Sequence, residues 1–116
     1  MLHIPRCAHK MGHVSNSSPT PPLNADLHCH SVVSDGTLTP EALAERASAN
    51  GVQLWSLTDH DEIGGQHRAR AAAHAQGMDY LTGTEISVTF ADNTVHIVGL
   101  GFDPDDAQLT KGLELT

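Results

Sequence analysis

Alternation of strand and helix between Asp26 and Phe90 restricts this chain more than any other feature. Asp26 to His30 ("DLHCH") is a short strand candidate. Thr39 suits a helix N-cap, with Pro40 at the first helical position and Glu41 against the positive end of the helix dipole. Leu38 and Leu43 occupy the positions of a hydrophobic staple. That helix runs through "EALAERASAN" to Gly51, a residue suited to the left-handed cap. "VQLWSLTD" (52–59) is a second strand, apolar enough to be buried. "GQHRARAAAHAQG" (65–77) is an Ala- and Arg-rich helix, again closed by a glycine. "MDYLTGTEISVTF" and "TVHIVGLGF" supply two more extended segments around the turn residues Ala91 to Asn93. Strand, helix, strand, helix, strand predicts the parallel sheet or barrel of an α/β fold.

The tail "DPDDAQLTKGLELT" starts another helix, capped by Asp105 or Asp106. A closed barrel typically takes about 250 residues. A chain of 116 is therefore expected to supply the N-terminal portion of a larger domain. The expected division is a disordered leader over residues 1–24, where "SNSSPTPPLN" cannot bury enough apolar surface to order itself, and the domain portion over 25–116.

Six Lys and Arg stand against fourteen Asp and Glu, a formal charge of -8. No broad nucleic-acid-binding surface is expected from that balance, because counterion release needs clustered cations. Bound divalent cations could offset the negative charge instead. Cys7 and Cys29 follow no zinc-ligand spacing and are too few for a disulfide framework. No apolar run approaches the ~20 residues of a membrane span, and no signal-peptide core is present, so the expected location is cytoplasmic.

The chemistry lies at the strand ends. In an extended strand Asp26, His28 and His30 share one face, while Leu27 and Cys29 take the other. Imidazoles at i and i+2 are about 6.6 Å apart, close enough to converge on one ion. Asp26 is then placed to hold a histidine by its second ring nitrogen. A pair of surface histidines on an edge strand would show the same pattern. "SDG" brings Asp35 just after the strand, although Asp before Gly is also an ordinary turn. "LTDHDEIGG" puts Asp59, His60 and Asp61 at the exit of the second strand, and turn chemistry gives no reason for His60. "GTEIS" places Glu85 in an apolar segment, where a carboxylate must be paired, exposed or on a metal. His96 sits among β-branched residues. Together these put His, Asp or Glu at the same end of successive βα units, the ligand set of a multinuclear Zn, Mn or Fe hydrolytic site.

An even-length loop around Asp92 and Asn93 puts Glu85 and His96 on one face of a hairpin. A flat register leaves them about 13 Å apart, four residues at about 3.3 Å each. A bulge, or a loop starting nearer Phe90, is needed to bring both to one ion.

Four ordered motifs, "DLHCHSVVSDG", "SLTDHDEIGG", "GTEIS" and "VHIVGLGFD", resemble the PHP (polymerase and histidinol phosphatase) domain over Ala25 to Asp106. The nearest subgroup is the small bacterial phosphoesterases acting on nucleoside 3′,5′-bisphosphates and on RNA 5′ ends. The resemblance implies a distorted seven-stranded (β/α) barrel, incomplete in this chain, with two or three divalent metal ions (Mn, Fe or Zn). His28 and His30 would bind the first with Glu85, which bridges to a second held by His96, and Asp35 and His60 would belong to a third. Asp26 would act behind these ligands, and Asp59 and Asp61 either behind them or on the substrate side. The implied reaction is hydrolysis of a phosphate ester of a nucleotide or short RNA by metal-activated water, without a nucleophilic side chain. The family's later histidine and Asp-x-His ligands are not in these residues. Alternatives are a metal-binding fragment without activity, an amidohydrolase-type enzyme, which also opens with H-x-H on a first strand, and the PHP exonuclease of a DNA polymerase. Arg68 and Arg70 are as well suited to a solvated helix face as to a phosphate.

Overall fold

The computed structural model describes residues 22–115. Most of the expected leader, residues 1–21, lies outside the described residues. Asn24 already belongs to the fold, since its carbonyl accepts from the Gln53 and Leu54 N–H groups at 2.7 and 3.3 Å.

Among the described residues the chain runs β1 (Ala25–Asp26), α1 (Pro40–Ala49), β2 (Leu54–Trp55), α2 (Gln66–Ala75), β3 (Asp79–Tyr80), β4 (Gly83–Phe90), β5 (Asn93–Leu100) and α3 (Ala107–Glu114). Strands β1, β2 and β3 pair in that order and all in parallel, with Ala25 opposite Leu54 and Leu54 opposite Asp79. The α/β alternation is thus as expected. Among the described residues this parallel sheet is three strands wide and open, and β4 and β5 form a separate antiparallel hairpin.

Local chemistry sets the helix limits. Thr39 Oγ1 accepts from the Ala42 N–H at 3.1 Å, Pro40 opens α1, and Gly51 follows it with φ 81°. Gly77 does the same after α2 with φ 78°. Asp106, rather than Asp105, caps α3 by accepting from Gln108 and Leu109. Small residues let α1 and α2 pack against each other and the sheet: Ala44, Ala47, Ala69 and Ala73 are buried around Trp55, Leu57 and Met78. Trp55 meets Tyr80 edge-on with ring centres 5.5 Å apart. Arg68 forks onto Glu41 at 3.0 and 2.7 Å, so it joins the two helices at the surface.

Three segments differ from expectation. The first strand ends at Asp26, not His30. Beyond Asp26 the Thr58 N–H still donates to the Cys29 carbonyl at 2.9 Å, but the Cys29 N–H goes to the Thr58 hydroxyl at 3.2 Å instead of to a carbonyl. The second strand is likewise only Leu54–Trp55, although Leu54 to Asp59 are all buried. The segment from Met78 to Phe90 divides at Leu81 and Thr82, where β3 stays in the parallel sheet and β4 leaves for the hairpin. A single parallel bridge between His60 and Glu85 ties the hairpin back to the end of β2. No helix among the described residues is long and apolar enough to cross a membrane.

Candidate metal centre

His28 and His30 follow the end of β1 and keep strand-like alternation without ladder bonds. His28 Nε2 contacts Glu85 Oε1, and His30 Nε2 lies 3.3 Å from the same oxygen. Cys29 points the other way, packs against the core and donates to the Ser56 carbonyl at 3.4 Å. Burial, reinforced by the Asp26 charge, pushes its thiol up to about 12.

After His30 the chain folds back on itself. Ser31 is fully buried, and its carbonyl accepts from the Ser34 and Gly36 N–H groups at 3.1 and 2.8 Å. This return explains the glycine of "SDG": a Cβ at Gly36 would lie 2.2 Å from the His30 carbonyl oxygen. Asp35 is thereby aimed at His30 and at His60. His60 follows the buried end of β2, and its ring stacks on His30 at 4.4 Å and 3°. Its Nε2 is 3.3 Å from Asp35 Oδ2 and its Nδ1 is 3.5 Å from Glu85 Oε2.

The hairpin supplies the last two residues. Its loop starts directly after Phe90, with Ala91 and Asp92 at φ 50° and 63° and Phe90 paired with Asn93. Ser87 then faces His96 while Glu85 faces Val98, so Glu85 and His96 are diagonal neighbours, with backbones about 7–8 Å apart. No bulge is needed, and His96 Nδ1 reaches to 3.3 Å from Glu85 Oε2. Gly83 at the base of β4 is again a matter of space, because a Cβ there would fall 2.3 Å from Ser56 Oγ.

All six expected ligands therefore come together. They form three overlapping groups, His28–His30–Glu85, His30–Asp35–His60 and His60–Glu85–His96, each with donor atoms within 4.8 Å of one another. Glu85 is the floor, its side chain 7% exposed, whereas His28, Asp35 and His96 form a rim more than half exposed. Burial pushes the Glu85 carboxyl up, but the hydrogen bond from His28 and the nearby His60, His28 and His30 outweigh it and hold it below the ordinary carboxylate value. His30 Nδ1 is buried and has no hydrogen-bond partner among the described residues. A nitrogen-and-carboxylate donor set with an unpartnered imidazole nitrogen fits divalent cations, and three protein donors per group leave positions open for water or substrate.

Three carboxylates sit behind this set. Asp26 does not reach a histidine ring, contrary to expectation. The ladder stops beside it, and its Oδ1 turns back to accept from the freed His28 backbone N–H at 3.3 Å. Asp59 is 1% exposed and accepts from Ser31 and Ser34. Asp61, at φ 48°, donates its N–H to the Glu85 carbonyl and accepts from the Ser87 N–H, both at 2.9 Å, stitching the hairpin to β2. Sequence reasoning missed the residues that answer these groups. Gln66, 1% exposed, binds the Leu57 carbonyl, the Tyr80 hydroxyl and the Gly83 N–H, which positions β4. Ser87 places its hydroxyl 3.1 Å from His96 Nδ1. The only signal for Ser87 is its place two residues after Glu85, and Gln66 carries none.

The PHP domain family model matches residues 26–109. The chain is 50% identical over 91 residues to a 3′,5′-nucleoside bisphosphate phosphatase of Chromobacterium violaceum, covering 78% of this chain and 32% of that one. It is 46% identical over 89 residues to a 5′-3′ exoribonuclease of Haemophilus influenzae, covering 77% and 32%. Among solved structures, one from Chromobacterium violaceum described as an amidohydrolase with bound sulfate and no metal superposes with TM-score 0.78 and 50% identity over 79% of this chain and 32% of that one. One from Bifidobacterium adolescentis, assigned as a metal-dependent phosphoesterase, superposes with TM-score 0.76 and 35% identity over 83% and 34%. The chain spans about a third of the length of the curated relatives it matches.

Proposed function

The chain belongs to the PHP domain family, and from that premise we propose that it is a metal-dependent phosphoesterase acting on a phosphate ester of a nucleotide or of a short RNA 5′ end. The observation that carries the reading is the Glu85 carboxylate. It lies buried, in contact with His28 and within 3.5 Å of His30, His60 and His96, at the centre of three sets of metal-type donors. His28, His30 and Glu85 would hold one ion, Glu85 with His96 a second, and Asp35 with His60 a third. Mn, Fe or Zn held by these residues would supply water activation and positive charge for the phosphoryl oxygens.

The protein's own groups do the arranging. Asp35, His28 and His96 line an open rim through which an anionic ester can approach. Asp59 and Asp61 hold the loops behind them. With six Lys and Arg in the whole chain, phosphate recognition rests on the metals more than on a basic surface, and this favours a small substrate over long nucleic acid.

A second reading is hydrolysis of an amide, favoured by the description of the Chromobacterium violaceum structure as an amidohydrolase. A third is metal binding without turnover. The chain loaded with Mn, Fe or Zn should be assayed for phosphate release from a nucleoside 3′,5′-bisphosphate and for nucleotide release from a 5′-phosphorylated RNA oligonucleotide. Either product, abolished by Glu85→Ala, is expected. Amine release from an N-acetyl sugar with no phosphate product would replace the reading with the second, and metal uptake without any product with the third.

A further inference from the structure

Asp59 belongs to none of the three donor groups, yet it is among the most buried polar residues, 1% exposed. A carboxylate so placed is costly unless hydrogen-bonded, and three bonds cover it. Its Oδ1 accepts from the Ser31 N–H at 2.6 Å and the Ser34 hydroxyl at 2.8 Å, and its Oδ2 accepts from the Ser31 hydroxyl at 2.7 Å. The two serines bracket the first donors, for Ser31 follows His30 and Ser34 precedes Asp35. Asp59 is itself followed by His60, and its carbonyl accepts from the Glu85 N–H at 3.0 Å and the Thr84 hydroxyl at 3.1 Å. One residue is thus joined, by a bond or by its chain neighbour, to the segments that carry His30, Asp35, His60 and Glu85.

We propose that Asp59 is the positioning residue of the Asp35–His60 metal position beside His30, fixing the Asp35 loop against His60 so that both donors face one ion. The inference rests on the metal reading above. The backbone bonds around the exposed Asp35, from Ser34 and Gly36 to the Ser31 carbonyl and from Val32 to the Leu38 carbonyl, are internal to its loop. Its placement against His60 therefore depends on this clamp more than that of Glu85, which is held by its strand. Asparagine would keep the volume of the side chain. It would also turn an N–H toward the Ser31 hydroxyl, which would reverse that bond, leave the hydroxyl hydrogen without its acceptor and remove the charge that strengthens all three bonds.

The test is a Co²⁺ titration of the whole chain followed by visible absorption, with thermal unfolding of the metal-free protein in parallel. It compares wild type, Asp59→Asn, Asp35→Asn and the double variant. Asp59→Asn is expected to weaken one position about tenfold to a hundredfold and to alter its absorption, while the other positions keep wild-type affinity. The double variant should bind no more weakly than Asp35→Asn alone. Unchanged binding by Asp59→Asn, or losses that add in full in the double variant, would overturn the proposal. Where Asp59→Asn does not fold, Ser34→Ala removes one bond of the clamp and enters the same cycle against Asp35→Asn. A wild-type chain that takes no Co²⁺ would overturn the metal reading and this inference together. Wild-type uptake with an unaffected Asp59→Asn overturns this inference alone.

Discussion

His96 stands diagonally across the β4–β5 hairpin from Glu85, with Nδ1 3.3 Å from Oε2. That single offset makes the hairpin part of the metal centre. Glu85 is shared by two donor groups, whereas His96 belongs to one. Glu85→Gln is therefore expected to cost at least one bound ion per chain and to weaken those that remain. His96→Ala should cost one position only. Equilibrium dialysis with Zn²⁺ checks this, and equal losses in the two variants would contradict it.

The pH dependence of the metal-free chain follows from the same carboxyl. The hydrogen bond from His28 and the neighbouring histidines hold it below its ordinary value despite burial. The folded state then binds that proton less readily than the unfolded chain. This contribution to stability is complete above the unfolded value of about 4.5 and is lost as pH falls through the lower folded value. Urea midpoints measured between pH 7 and pH 3 should fall more steeply for wild type than for Glu85→Gln. Parallel curves would show that Glu85 carries no such contribution.

Gly36 and Gly83 are required by close approach. A Cβ would lie 2.2 Å from the His30 carbonyl oxygen in the first case and 2.3 Å from Ser56 Oγ in the second. Gly36→Ala and Gly83→Ala should each destabilise the chain by about 1–3 kcal/mol, the usual cost of overpacking. Gly77→Ala gives a useful contrast, since nothing lies within 4 Å and only its φ of 78° resists. Denaturant unfolding tests all three, and a Gly36→Ala chain as stable as wild type would mean the Asp35 loop can sit elsewhere.

Cys29 should be inert. With its thiol pushed up to about 12 by burial and by the Asp26 charge, almost none is thiolate at pH 8 in the folded chain. In a Cys7→Ser background, iodoacetamide is expected to label Cys29 at least tenfold more slowly in buffer than in urea, given that only the thiolate attacks. Its contribution to stability, complete below the ordinary thiol value, disappears as pH rises toward 12. Equal labelling rates would place the thiol in solvent.

Much of the site was legible because side-chain alternation needs no tertiary information. His28 and His30 with Cys29 turned inward follow from the period of a strand, and these two and His60 come after parallel strands as expected, whereas Glu85 and His96 lie on the antiparallel hairpin. The hairpin register was not legible. Ala91 and Asp92 occupy left-handed positions without the Asn-Gly pair that marks such turns, so a loop one residue later looked as good. Strand lengths are not legible because the Cys29 N–H bonds to the Thr58 hydroxyl instead of a carbonyl, a substitution no propensity announces. Gln66 reads as an ordinary polar helix residue, and its burial depends on Tyr80 and Gly83, distant in sequence. Asp26 was assigned to an imidazole on spacing alone, whereas the nearest unpaired donor was the backbone of His28.

The most direct measurement is the metal content of the purified chain, counted by inductively coupled plasma mass spectrometry after reconstitution with Mn²⁺, Fe²⁺ or Zn²⁺ and removal of free ions. Two or three ions per folded chain are expected, falling by at least one in Glu85→Gln. A soluble, folded chain that retains no ion would contradict a metal centre at His28, His30, Asp35, His60, Glu85 and His96.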